Sequence, residues 1–480
     1  MHHLITVYTL AGGDEFGMND SVSQYYRCPE SHVRLSLREP LSESNGYFNF
    51  GTGTTCYGRC AGHSPSKCPE GPLYDVMADA KLDGGTVGLP FDLKQVVDNL
   101  RYELYSQEAS SQAETTMARA YYLIRPLLSV SVRKHIQRWH FRDWERLAFP
   151  HWPVDTTVDQ IFEQTMLLSL KAQSVSEIPF VWFWPEGATS CAIMTHDVET
   201  EKGVRSSPYL MDMEDAFDIK ASFQIIPEQR YEVTHDFLNS VRDRGFEVVV
   251  HDLNHDGHLF REKAEFLRRA KAINSYGRRF GASGFRAAVL YRKQEWFDAL
   301  DFSYDMSVPN VAHLDPQRGG CCTVMPYFVG KILELPVTTT QDYTLFNIFN
   351  DYSIDLWKKQ IELIMEKHGL ISVIVHPDYV GDSRERAAYE ALLAHLADLR
   401  KQEGIWIMTP GEIDRWWRQR AEMKVVKDEV GWHIEGAGSE RACLAFASEK
   451  DGRICYTCDS TPDLHPTNVR TGREDRAERI

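Results

Sequence analysis

Between residues 189 and 420 the chain alternates short apolar runs with helical stretches, and this alternation limits its fold more than any other feature. The runs CAIMT (191–195), ASFQII (221–226), FEVVV (246–250), ASGFR (282–286), ILELPV (332–337), LISVIV (370–375) and IWIM (405–408) read as strands. Helical stretches fall between most of them, including 232–243, 259–280, 353–368, 384–402 and 411–420. A repeated strand–helix order implies a parallel sheet, here long enough to close into a barrel. Such barrels carry their active sites at the C-terminal ends of the strands, so polar residues there become the candidates.

The flanking sequence divides the rest. Residues 1–75 form an irregular segment rich in Gly, Ser, Cys and Pro, and residues 76–185 a mostly helical region. Within it Leu127, Leu128, Val132, Ile136 and Trp139 recur at helical spacing beside Arg125, Arg133, Lys134, Arg138, Arg142 and Arg146. An apolar stripe of this kind packs on a neighbouring domain more often than on a membrane. Residues 186–420 form the barrel, and residues 421–480 a small β-rich appendage and tail. In the appendage CLAFASEKDGRICYTCD reads as a hairpin turning at Asp451-Gly452.

A composition of 43% hydrophobic and 25% charged residues excludes global disorder. The net charge of −16 repels phosphate backbones, so nucleic acid is not an expected partner. No run approaches the ~18 apolar residues of a membrane span. The N-terminal MHHLITVYTLAGGDEF has no Lys or Arg and makes a poor signal peptide, so a cytoplasmic protein is expected. Oligomeric state is left open. Cys28, Cys56, Cys60 and Cys68 cluster early with a spacing that matches no common zinc pattern, and reduced thiols are the expected reading.

Four strand candidates end in residues able to do chemistry. Strand 191–195 runs into His196, Asp197, Val198 and Glu199; strand 246–250 into His251, Asp252 and His255; strand 282–286 ends at Arg286; strand 370–375 runs into His376, Pro377 and Asp378. Burying such groups is costly unless they are paired, so four strands with this habit point to a site. If the chain turns helical after the second of these strands, His251 and His255 project from one face and share a metal. An anionic third ligand suits a catalytic zinc site, with Asp197 and Glu199 the nearest candidates. Arg286 is placed to hold a carboxylate through a forked hydrogen-bond pair. These parts describe metal-assisted hydrolysis of an amide or ester. Asp378 reads as a loop-capping carboxylate, His258 as a surface residue, and Trp182 and Trp184 as core or domain contacts.

THDVE at 195–199, HDLNH at 251–255, GFRAAVLYR at 284–292 and VIVHPDY at 373–379 resemble, in order and spacing, the motifs of the polysaccharide deacetylase (NodB-homology) family, carbohydrate esterase family four. The THDVE spelling resembles a variant branch of it. The resemblance implies an α/β fold, a deformed (β/α) barrel with the N-terminal irregular and helical extension and the C-terminal β appendage outside it. It implies a divalent metal, zinc by preference, on Glu199, His251 and His255. Asp197 becomes the base, held by Arg286; His376 the acid; and Asp305 the carboxylate that tethers that acid. Val198 stands where the family commonly has its metal-binding Asp, and Glu199 supplies the oxygen instead. The implied activity is removal of N- or O-acetyl groups from a carbohydrate, a hydrolysis of non-peptide carbon–nitrogen bonds in the first case. The rival readings are a barrel without turnover, serving as a carbohydrate-binding or assembly module, and a hydrolase of another non-peptide carbon–nitrogen bond.

Overall fold

A computed structural model describes residues 18–107, 136, 139–381 and 383–458. At its centre lies a nine-stranded sheet: β1 (Cys191–Val198), β2 (Ala221–Ile225), β3 (Glu247–His251), β4 (Gly284–Arg286), β5 (Tyr304–Asp305), β6 (Tyr327–Val329), β7 (Ile332–Glu334), β8 (Leu370–Ile374) and β9 (Trp406–Ile407). The order is β6-β7-β5-β4-β3-β2-β1-β8, with β9 beside the first residues of β1. Every pairing is parallel except β6 with β7. The helices α1 (Glu201–Ala216), α2 (His235–Arg242), α3 (Lys263–Phe280), α4 (Asp355–Met365), α5 (Ser383–Gln402) and α6 (Pro410–Glu422) come between or after the strands.

The barrel is deformed where β7 and β8 would meet. No ladder joins them; Thr338 Oγ1 donates to the Leu370 carbonyl at 2.7 Å and Thr339 N–H to the Ser372 carbonyl at 3.2 Å. The sheet is thus an open, deformed α/β barrel of mostly parallel strands. All seven strands expected from the sequence are present. The additional β5 and β6 span only two and three residues, too few to show a period. Helix α1 shows no clean period in the sequence, because Pro208 lies inside it and interrupts the pattern.

Strand alternation sorts the core into two layers. Ala192, Met194 and Val198 of β1 pack with helix residues such as Leu210, Phe266 and Leu392 on the outer face. Cys191 and Ile193 face the other way, with Tyr304, Leu333 and Leu370, and this layer runs on into Phe48, Phe162 and Phe180 outside the barrel. The two flanking regions meet in one sheet, where Leu444–Lys450 pairs with both Glu177–Val181 and Arg453–Cys458. The hairpin turning at Asp451-Gly452 is thus present, and Lys424–Lys427 forms a second one with Trp432–Glu435.

Region 1–75 holds the short hairpin Gly46–Asn49 with Thr55–Gly58. Region 76–185, expected to be mostly helical, carries the strands Lys81–Asp83, Thr86–Leu89 and Glu177–Val181 besides the helices Leu93–Arg101 and Thr157–Gln173. Lys81–Asp83 forms a local hairpin with Thr86–Leu89, while Thr86–Leu89 and Glu177–Val181 also find partners distant in the chain, which local periodicity does not register. Of the basic helical stripe, Leu127, Leu128, Val132, Arg125, Arg133, Lys134 and Arg138 lie outside the described residues. A buried ion pair ties this region to the barrel: Glu103 accepts from Arg292 Nε at 2.7 Å and from Gly320 N–H at 2.6 Å. Among the described residues no helix is long and apolar enough to cross a membrane.

Candidate active site

The C-terminal ends of β1, β3, β4 and β8 converge, bringing together Asp197, Glu199, His251, His255, Arg286 and His376. Alternation along β1 explains which of its residues take part. Thr195 and Asp197 point inward, Val198 points into the outer apolar layer, and Glu199, the next residue on, returns to the inner side. The strand stays extended through Val198, so a carboxylate at 199 reaches the place that a residue at 198 cannot.

Arg286 is fully buried and fixes Asp197. Its Nη1 donates to Asp197 Oδ1 at 2.7 Å and to Thr195 Oγ1 at 2.9 Å, while Nε donates to the Met306 carbonyl at 3.0 Å. The expected fork onto one carboxylate is therefore replaced by a single bond, because the guanidinium spreads its donors over two strand ends, β1 and β5. Burial works to raise the Asp197 carboxyl, but Arg286, His251 and His376 outweigh it and bring it down to about 2. Asp197 is an anion at neutral pH.

His251 and His255 come together without a helical turn. Asp252 and His255 both take left-handed backbone angles, φ 55° in each, and the loop doubles back until the rings lie 5.0 Å apart. Non-glycine residues held at positive φ are strained, and such strain collects at functional sites. His251 Nδ1 lies 3.1 Å from the Arg286 carbonyl and donates to it, which leaves the Nε2 lone pair facing the site. That Nε2 is buried and has no hydrogen-bond partner. Burial lowers the His251 imidazole to about 4, against the pull of Asp197 3.8 Å away.

His255 Nε2 sits 2.9 Å from Glu199 Oε1. Arg230 donates to both its Nδ1 at 3.1 Å and its carbonyl at 2.9 Å. The ring proton therefore sits on Nε2, and a metal ligated there would take its place, as metal binding to such sites commonly does. Burial opposes the charged form of Glu199, but His255, His376 and His251 together hold its carboxyl well below the usual range.

Glu199, His251 and His255 each offer an atom, and these atoms all lie within 4.8 Å of one another. This is the one such group of His, Cys, Asp and Glu among the described residues. The donor set and the orphaned Nε2 of His251 fit a divalent cation, and two imidazoles with a carboxylate suit zinc. The early cysteines form no such group: Cys28, Cys56 and Cys60 are buried and Cys68 exposed, all as free thiols.

One expected role is corrected. His376 is tethered by Asp342, not Asp305. Asp342 Oδ1 lies 2.6 Å from His376 Nδ1, and Asp342 Oδ2 accepts the His376 N–H at 2.8 Å. Asp305 pairs in register with Phe285 and Glu334, which places it on the outer face of the sheet, opposite Arg286. There it accepts from Ser307, and burial beside Glu334 raises its carboxyl. Asp342 lies past the end of β7 in TTTQDYT, a polar run with no period; the only signal for it was its place beyond a strand end.

His376 itself is pushed up to about 10: burial works against the charge, and Asp342, then Glu199 and Asp197, overcome it. Its folded value exceeds its ordinary 6.5, so the pair contributes stability in full below 6.5 and loses it as pH rises through about 10. Asp342→Asn removes the principal anion, so the alkaline limb of any activity that needs protonated His376 moves to lower pH. A pH–rate profile checks this, and Asp305→Asn leaves that limb in place.

The other candidates have structural partners. His258, half-buried, sits 3.7 Å from Asp256. Trp182 and Trp184 are buried and donate to the Ala188 and His368 carbonyls at 2.7 Å and 2.6 Å.

No family model matches the chain, and no curated protein matches it. Solved structures similar to it include one described as a polysaccharide deacetylase from Mycobacterium smegmatis, at 17% identity over 50% of this chain and 93% of that one, with a TM-score of 0.40. The Puue allantoinase is similar at 13% identity over 49% and 92%, with a TM-score of 0.39. A chain described as a polysaccharide deacetylase from Pseudomonas aeruginosa PAO1 is similar at 13% identity over 49% and 93%, with a TM-score of 0.39. The likeness is one of fold.

Proposed function

We propose that this chain is a metal-dependent hydrolase that removes an N-acetyl or O-acetyl group from a carbohydrate. The observation that carries the reading is the meeting of three kinds of group at one barrel mouth. These are an anionic carboxylate held by a buried arginine, a His–His–Glu donor set, and an imidazole tethered to a second carboxylate. A packing role explains none of the three together. The ordered motifs that resemble the polysaccharide deacetylases, in their THDVE spelling, support an acetylated sugar as substrate.

A divalent cation, zinc by its donors, held on Glu199, His251 and His255 would supply Lewis acidity toward water and the acyl oxygen. Asp197, ionised and oriented by Arg286, accepts a proton from the attacking water. His376 carries its proton with Asp342 behind it and gives it to the departing amine or alcohol. The products are acetate and the free amine or hydroxyl.

The test is acetate release from N-acetylated and O-acetylated oligosaccharides. The reading predicts release that a chelator abolishes and added zinc restores. Glycan binding with metal retained and no release would instead leave a binding module on the same barrel.

A further inference from the structure

Glu199 is one residue beyond the last ladder position of β1, so sheet pairing does not fix its backbone. Something else must, because a ligand displaced by a fraction of an ångström loses its metal. On the reading of Glu199 as a metal ligand, we infer that Asp378 is the positioning residue that holds it.

Asp378 is buried at the end of β8, two residues after His376. Its Oδ2 accepts the Glu199 N–H at 3.1 Å, and its Oδ1 accepts the Thr200 hydroxyl. Its own carbonyl accepts from Lys202 Nζ at 2.7 Å. Contacts from Glu199, Thr200 and Lys202 thus clamp the start of α1 to the loop that carries the acid. A second observation marks the approach as close: a Cβ at Gly203 would come 2.4 Å from Asp378 Oδ2. Position 203 has to be glycine for this carboxylate to reach Glu199.

The same loop is registered from its other side, where Asp342 holds His376. The distance between the acid and the metal ligand is therefore set by residues 376–378 as one unit. A carboxylate that merely tied the two loops together would make the same bonds, but its loss would act on stability alone.

Zinc affinity separates the two roles, measured on the purified full chain by competition with a chromophoric chelator, beside the melting temperature of the metal-free protein. Asp378→Ala is expected to weaken zinc binding about 10- to 100-fold, the usual effect of losing a group that orients a ligand. Asp378→Asn, which keeps one acceptor oxygen, is expected to fall between it and the wild type. Unchanged zinc affinity in a folded Asp378→Ala protein, with or without a lower melting temperature, would overturn the inference. Should that variant not fold, wild-type affinity in Asp378→Asn does so. A wild type that binds no zinc would overturn the site itself, a result distinct from either.

Discussion

Asp197→Asn is expected to leave the metal bound and to lower acetate release by about 10²- to 10⁴-fold, the range that a positioned base contributes. The amide keeps the shape of the carboxylate and an oxygen for Arg286 Nη1, so the 2.7 Å contact survives while the basicity is lost. Arg286 then remains buried without its anion, which carries a stability cost of up to about 3–5 kcal/mol. Its bonds to Thr195 and the Met306 carbonyl retain the local geometry. Initial rates at saturating metal, with a denaturation curve for each protein, separate the two effects. An unchanged rate would mean that Asp197 is not the base.

His251→Ala is expected to strip the metal. It deletes one of three donor atoms and the one whose buried nitrogen has no other partner. The fold should hold, because the Arg286 carbonyl that His251 Nδ1 contacts also accepts the Asp252 N–H at 2.9 Å. Elemental analysis after dialysis should read about one divalent ion per chain for wild type and well under a tenth of that for the variant, since a two-donor site binds weakly. Equal occupancy in both would place the metal elsewhere.

How much of this could be read from the sequence depended on the range of the signal. Strand–helix alternation is local, and it located seven of the nine barrel strands and the C-terminal hairpin. The two missed strands are held by their neighbours in the sheet and not by their own period. Side chains at strand ends were legible for the same reason, since strand register decides which of Asp197, Val198 and Glu199 face inward. The tether of His376 was not. Asp305 and Asp342 are both acids near short strands, and only the pairing of β5 with β7 reveals that Asp305 faces outward. The approach of His251 to His255 was legible as a spacing, but its cause was not: two positive φ angles replace the helical turn. In region 76–185, Thr86–Leu89 and Glu177–Val181 pair with partners far along the chain, and such long-range contacts leave no local period to read.

The central claim is that Glu199, His251 and His255 hold one cation between them. X-ray absorption at the zinc edge of the wild-type protein tests it most directly. The account predicts a first shell of nitrogen and oxygen only, at about 2.0–2.1 Å, with the multiple scattering of two imidazoles. A sulfur shell near 2.3 Å, which would place the ion on the cysteines, or a folded protein that retains no metal at all, would contradict it.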